Sequence, residues 1–435
     1  MLEAVYNQNA FVLMFYAKKT IELESYDRTG KKLGTHTILK IPKMEVNRIN
    51  GAKLNPEIDN VTVYPLGTDG FVRSTFVNND KDGYELQAFN NDMTIKWEVG
   101  SDVNSDLLES GDIMYTSEKY VCLSVIQKKT KLTNKFDTDF LMIDAKTGSV
   151  LCRFPVKDTN DGQLSLLNCF VDETNGQAYL TGEYYKPGDN VLKDKSLGLY
   201  IREIESNGSD VNFKKFAWAR EIAKFKQEAM SDDEKEKDKG TNRIWFHKFI
   251  KSANGNIFAI GEQYRKQVSA TGVALNVLSG GGGSGASNIE IKVTNMLVVE
   301  FDANLELTDY KIIPKKPTRV MLPEGYGVVS TQLIASYLAT TGNFDYQFTS
   351  QDPKKDSYQI IYTDGNRKEE GSKEKADIMI GAIKINKGEK ATSRFPINSD
   401  ATRLWYSPAK PGYIVVGEYW KKEKKVKLHL EKISD

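Results

Sequence analysis

Three glutamates stand in one repeated setting. Glu183, Glu262 and Glu418 each follow a glycine and precede an aromatic residue two positions on, in NGQAYLTGEYY (175–185), NGNIFAIGEQY (254–264) and PGYIVVGEYW (411–420). Carboxylates at a repeated position could line a channel, hold a cation or accept from a sugar hydroxyl. Two of them could serve a hydrolase as acid and base, given a defined separation. Trp405, Trp420, Tyr185 and Tyr264 would then be stacking platforms for sugar rings. The structural reading competes with this. Repeats stack, and what stacking preserves first is contact between neighbours. A glutamate hydrogen-bonded to an adjacent repeat unit, or sitting at a strand end, is therefore the stronger reading. The three remain ligand-contact candidates, and no catalytic residue is assigned.

Other chemistry is thinner. His36, His247 and His429 are far apart and show no ligand-like spacing, whereas zinc needs several convergent ligands. No metal site is assigned. Asn78-x-Asp80-x-Asp82-Gly83 opens like a calcium loop, but position twelve is Phe89 where a bidentate glutamate belongs, so a polar hairpin turn is expected. No Gly-x-Ser-x-Gly elbow is present, and the GGGG tract lacks the Gly-Lys-Ser/Thr of a phosphate loop. No cofactor is implied. Lys421-Lys422-Glu423-Lys424-Lys425 could touch an acidic polymer, but reads better as a solvated turn that discourages edge pairing. Cys122, Cys152 and Cys169 sit in apolar runs and read as buried thiols.

The elements that must position these residues are short. Runs of Val, Ile, Tyr, Phe and Thr are broken by Gly, Asn and Asp, as in strands joined by tight turns. Asp144-Ala145-Lys146-Thr147-Gly148 is such a turn, similar to the hairpin of quinoprotein-type propeller repeats, with Cys152 in place of the usual docking tryptophan. Gly182 and Gly261 lie 79 residues apart, and Gly261 and Gly417 lie 156 apart, close to twice that period. A degenerate copy is therefore expected near 339, where TQLIASYLAT (331–340) reads as a strand. Units of about four strands are expected at 2–40, 61–99, 112–156, 164–218, 244–313 and 329–397. A seventh, 402–433, holds three. In the repeated strand Phe258, Ile260, Glu262 and Tyr264 point one way and Ile257, Ala259, Gly261 and Gln263 the other, so both faces are largely apolar. Successive sheets with two buried faces are the arithmetic of a β-propeller.

The fold expected is thus all-β: one domain over 1–435, a propeller of about seven four-stranded antiparallel blades, the last incomplete. Two insertions interrupt it. Residues 219–243 begin with helical spacing and end in a charge run, and 268–294 contain the Gly-rich tract and read as a surface loop.

Composition agrees. The 435 residues carry a net charge of +1, with 40% hydrophobic and 27% charged residues. That hydrophobic content excludes a disordered chain. Near-neutrality removes the electrostatic footprint of a nucleic-acid binder. Apolar runs such as 10–17 are too short to span a bilayer as a helix. A monomer is expected. The start, Met1-Leu2-Glu3, has neither a basic n-region nor a small-residue cleavage site.

The segments IWFHKFIKSANGNIFAIGEQYRKQ (244–267) and SPAKPGYIVVGEYWKKEKKVKLHLEKIS (407–434) resemble an uncharacterised family of Bacteroidota proteins classed as a domain of unknown function. The resemblance runs through most of the chain. It implies an exported protein of the periplasm or cell surface, with a signal peptide and further strand-forming sequence ahead of the point where this chain begins. It assigns no catalytic residue. The expected function is a non-catalytic binding or scaffold protein of the bacterial cell envelope, with an unknown protein or glycan partner. The alternative is a carbohydrate-active or other hydrolytic propeller using channel-lining carboxylates.

Overall fold

A computed structural model describes residues 3–17, 20–39, 41, 46, 62–78, 82–102, 104–130, 133, 135–160, 162–191, 194–229, 243–268, 286–323, 331–352, 355–365 and 378–433. They fall into two compact units, Met1–Ala219 and Arg220–Asp435.

In the first unit, β1 (Glu3–Tyr6), β2 (Ala10–Ala17), β3 (Thr20–Asp27) and β4 (Lys32–Ile38) form one sheet. The second sheet holds β5 (Val63–Pro65), β6 (Gly70–Asn78), β7 (Asp82–Asn90) and β8 (Ile95–Gly100). The third holds β9 (Leu108–Thr116), β10 (Tyr120–Lys128), β11 (Asp137–Asp144) and β12 (Val150–Pro155). The fourth holds β13 (Gly162–Asp172), β14 (Gln177–Pro187), β15 (Gly198–Ile204) and β16 (Asp210–Ala217).

In the second unit the fifth sheet comprises β17 (Arg243–Lys251), β18 (Ile257–Val268), β19 (Ala286–Phe301) and β20 (Leu307–Ile313), with β21 (Thr318–Pro323) also on β19. The sixth comprises β22 (Tyr346–Asp352), β23 (Ser357–Gly365), β24 (Ile378–Asn386) and β25 (Glu389–Ile397). The seventh has three strands, β26 (Arg403–Pro408), β27 (Tyr413–Trp420) and β28 (Lys425–Lys432). Apart from β21, strand order within each sheet follows the chain, and the pairings are antiparallel. The seven sheets are the blades of a β-propeller, and the seventh lacks a fourth strand among the described residues.

Within each unit, neighbouring blades hide faces against one another. Val12 and Leu23 of the first meet Phe71 and Phe89 of the second. Val72 and Leu86 of the second meet Val121 and Leu141 of the third. Phe140 and Met142 of the third meet Leu180 and Tyr200 of the fourth, and all three cysteines lie in this cluster. In the second unit Phe258 and Val298 pack on Ile360 and Ile383, and Ile361 and Ile380 pack on Ile414 and Val416. Period-two alternation supplies both faces from one strand, which is why middle strands read as continuous apolar runs.

The turn at 144–148 forms as its residues dictate. Asp144 Oδ1 accepts from the Lys146 and Thr147 amides at 2.9 and 2.8 Å, and Gly148 takes φ 75°, where a side chain is strained. A tryptophan does dock here, from the preceding blade. Trp97 Nε1 donates to the Ala145 carbonyl at 2.9 Å, and a Cβ on Gly148 would lie 2.8 Å from the indole.

Two expectations need correction. Residues 331–340 are not a strand. A π-helical turn at Trp218–Ile222 runs into α1 (Ala223–Ala229), and residues 331–340 form a further α-helix, α2 (Thr331–Thr340). Ile334, Ala335 and Leu338 fall on one face at 3.6-residue spacing and bury against Tyr264, Val293 and Phe344. The copy of the repeat expected near 339 is therefore absent. Nor is 268–294 a loop throughout, because β19 begins at Ala286 and extends the β18 hairpin. The GGGG tract and most of the charge run at 230–242 lie outside the described residues, as does the turn between Asn78 and Asp82. Helical spacing at the start of 219–243 does give a helix.

Candidate functional site

The repeated glycine explains itself first. Gly417 pairs with Trp405 across β26 and β27, and a Cβ there would sit 2.0 Å from the indole ring. At Gly182 a Cβ would sit 1.7 Å from the Ser165 carbonyl oxygen. The following glutamate then points to the other face.

Glu262 shows what that direction serves. It is fully buried. Its Oε2 lies 3.0 Å from His247 Nε2 on β17 and accepts from the amides of Asp345 and Tyr346, at 3.0 and 3.1 Å, where the chain enters β22 of the next blade. Since a carboxylate only accepts, the ionised group requires the proton on His247 Nε2. Lys315 Nζ lies 3.5 Å from Glu262 Oε1 and is bonded to the Asp345 carboxylate. The other Asp345 oxygen accepts from Thr318 and Thr363 hydroxyls at 3.0 and 3.1 Å. The Thr363 amide donates to the Asp345 carbonyl at 2.8 Å. His247 is stacked on Tyr346 at 4.6 Å and meets the edge of Phe344 at 5.0 Å.

Burial alone would push the Glu262 pKa up. The His247 hydrogen bond, the Lys315 charge and the Tyr346 amide outweigh it and hold the carboxyl below its ordinary range. Two buried carboxylates share one ammonium. The arrangement can fasten the fifth blade to the sixth.

The other two glutamates have different partners. Glu183, buried on β14, accepts from the Tyr185 hydroxyl at 3.0 Å, and its amide donates to Ser165 Oγ at 3.2 Å. Glu418, buried on β27, faces Lys427 Nζ at 3.2 Å and His429 Nδ1 at 3.5 Å. Burial raises its pKa; bonds from Ser399 and Lys427 and the nearby His429 bring it below the ordinary value. The partners described for Glu262 and Glu418 share no residue.

Two of the three histidines thus sit beside repeated glutamates. Spacing concealed this, because one arrives from the first strand of its blade and the other from the third. Lys315 and Asp345 carried no signal in the sequence. His36 has a tilted ring contact with Phe89 at 4.9 Å, and burial, then Arg73, lower its pKa. Of the aromatic platforms, Tyr185 and Tyr264 are buried and cannot present a ring to a sugar. Trp420 donates Nε1 to Asp400 at 2.9 Å, and Trp405 is partly exposed.

Two open clefts are described. One of about 430 Å³ lies between the sixth and seventh blades, lined by Gln351, Asp352, Gln359, Lys384, Asn386 and Tyr413 among others. The second, about 210 Å³, includes Asp137, Asp158 and Gln163. Asp158 is clamped by Lys215 at 2.6 Å, Asp137 lies 3.5 Å from Lys157, and Asp352 lies 3.7 Å from Lys355. Among the described residues no group of three or more His, Cys, Asp and Glu side chains could hold a metal ion, and no helix is long and apolar enough to cross a membrane.

A family model described as a family of unknown function (DUF6770) matches residues 1–434. The chain belongs to that family. No curated protein matches it. Among solved structures it is similar to the β-propeller domain of the Trilobed protease from Pyrococcus furiosus, with 10% identity and TM-score 0.40, covering 100% of this chain and 97% of that one. A europium-containing methanol dehydrogenase matches with 10% identity and TM-score 0.39 over 99% of this chain and 78% of its own. An apocarotenoid oxygenase from Synechocystis matches with 9% identity and TM-score 0.39 over 100% of this chain and 89% of its own. Likenesses this distant carry no functional argument.

Proposed function

We propose that this DUF6770 chain is a non-catalytic binding or scaffold protein of the bacterial cell envelope. One observation carries the reading: the most conspicuous acidic group, Glu262, is fully buried, and its acceptor capacity goes to His247, Lys315 and two amides of the next blade. A hydrolytic pair needs two carboxylates that reach one substrate. The acids at the two clefts are instead each near a lysine. The envelope location, and an origin in Bacteroidota, follow from the sequence resemblance. Blades that spend their polar groups on one another leave loops and edges for partners. The test is affinity capture from an envelope fraction alongside a panel of glycan and peptide substrates. The reading expects a saturable partner and no turnover; turnover abolished by substituting a cleft carboxylate, with no partner captured, overturns it.

A further inference from the structure

The third strand of a blade is normally an interior strand. β11 and β15 are largely buried on both faces, and β24 contributes Ile380, Ala382, Ile383 and Ile385 to the core. In each case a fourth strand lies outside it. β28 is the exception. Among the described residues it pairs only with β27, and Val426, Leu428 and Leu430 are 56%, 62% and 55% exposed. Register sets them opposite Tyr419, Gly417 and Val415, and sets Trp405 opposite Gly417, so they share one face with that partly exposed indole. The opposite face of β27 is where Ile414 and Val416 pack on the sixth blade.

This edge also carries charge. Residues 421–432 hold six lysines against two glutamates in a chain whose net charge is +1. Lysines on an edge oppose pairing with a like edge, because two copies would set the same charges against each other. They do not account for three exposed aliphatic side chains in a row, which solubility alone disfavours. The two features together suit a strand of opposite charge: backbone groups to complete the ladder, apolar side chains at alternate positions, acidic ones between them.

We propose that β28 is a docking edge on which an extended segment of another protein, alternating apolar with Asp or Glu residues, adds as the fourth strand of the seventh blade. This deepens the binding reading by naming the surface and the chemistry of the partner. The probes are fluorescent ten-residue peptides: one alternating Glu or Asp with Val or Ile, one with lysine in place of the acids, and one acidic peptide interrupted by proline. Anisotropy should show the acidic peptide binding at least tenfold tighter than the other two, and more weakly as salt rises. Leu428→Ser with Leu430→Ser should weaken it at least tenfold. Lys422→Glu with Lys425→Glu should shift preference toward the lysine peptide. These positions are exposed, so the variants keep the fold, and amide exchange across β24 verifies that. Exchange in β28 should slow on binding. Equal affinity for acidic and basic peptides overturns the proposal. So does a concentration-dependent dimer that protects β28, or β28 amides as slow as those of β24 in peptide-free monomer. If every peptide fails while envelope partners are still captured, this edge is excluded and the binding reading stands.

Discussion

Replacing Lys315 by Met removes the cation that Glu262 and Asp345 share. Methionine fits the space of the lysine stem, so little packing is lost. What remains is two carboxylates, each at most 2% exposed, with the His247 ring beside Glu262. Removing one partner of a buried ion pair costs about 3–5 kcal/mol, because the other charge stays desolvated. The threonine and backbone donors around Asp345 persist and place Lys315→Met near the lower end, about 3 kcal/mol. The assay is denaturant unfolding at neutral pH, comparing midpoints at unchanged slope. The double variant Lys315→Met, Glu262→Gln should recover about 1–3 kcal/mol relative to the sum of the singles, since a single buried carboxylate no longer faces a second. If Lys315→Met costs less than about 1 kcal/mol, or the two changes add, the network is not a coupled fastener and the reasoning fails.

Three further outcomes follow from named contacts. The Glu262 pKa is lower folded than unfolded, so its contribution is present above the unfolded value and lost as pH falls through the folded one; the stability gap between wild type and Glu262→Gln should close on acidification below about pH 4, measured by thermal unfolding across pH. Leu338→Ala empties a fully buried site under α2 and should cost about 2–5 kcal/mol by denaturant titration; a cost below about 1 would mean that the helix is not docked as described. Burial pushes the Cys122 and Cys152 thiols up in pKa, and all three thiols are buried, so a colourimetric disulfide reagent at pH 7 should react within minutes with none of them in the native chain and with three after denaturation.

Residues that act through their nearest strand neighbours were legible. The blades from the first to the seventh follow alternation and turn chemistry, and the three strands described for the last show as a simple count of apolar runs in 402–433. The glycine before each repeated glutamate was legible as a pattern, and its cause is a close approach, as under the Trp405 ring. The 331–340 segment was not. Its apolar run suits either period, and only the docking of Ile334, Ala335 and Leu338 selects the helix.

The repeated glutamates mark the division most clearly. Their position on the strand is a local property, set by period-two geometry and by a glycine that admits a crowding neighbour. Their chemistry is not local. Asp345 lies 83 residues from Glu262 along the chain. Whether a carboxylate there meets bulk water, a lysine or the amides of the next blade depends on the dielectric and the donors that packing brings to it. The sequence by itself therefore determined that sheets follow one another and where each carboxylate sits on its strand. Tertiary structure alone decided that Glu262 is a buried fastener and that Val426, Leu428 and Leu430 of β28 stay exposed, because both depend on what packing sets beside them.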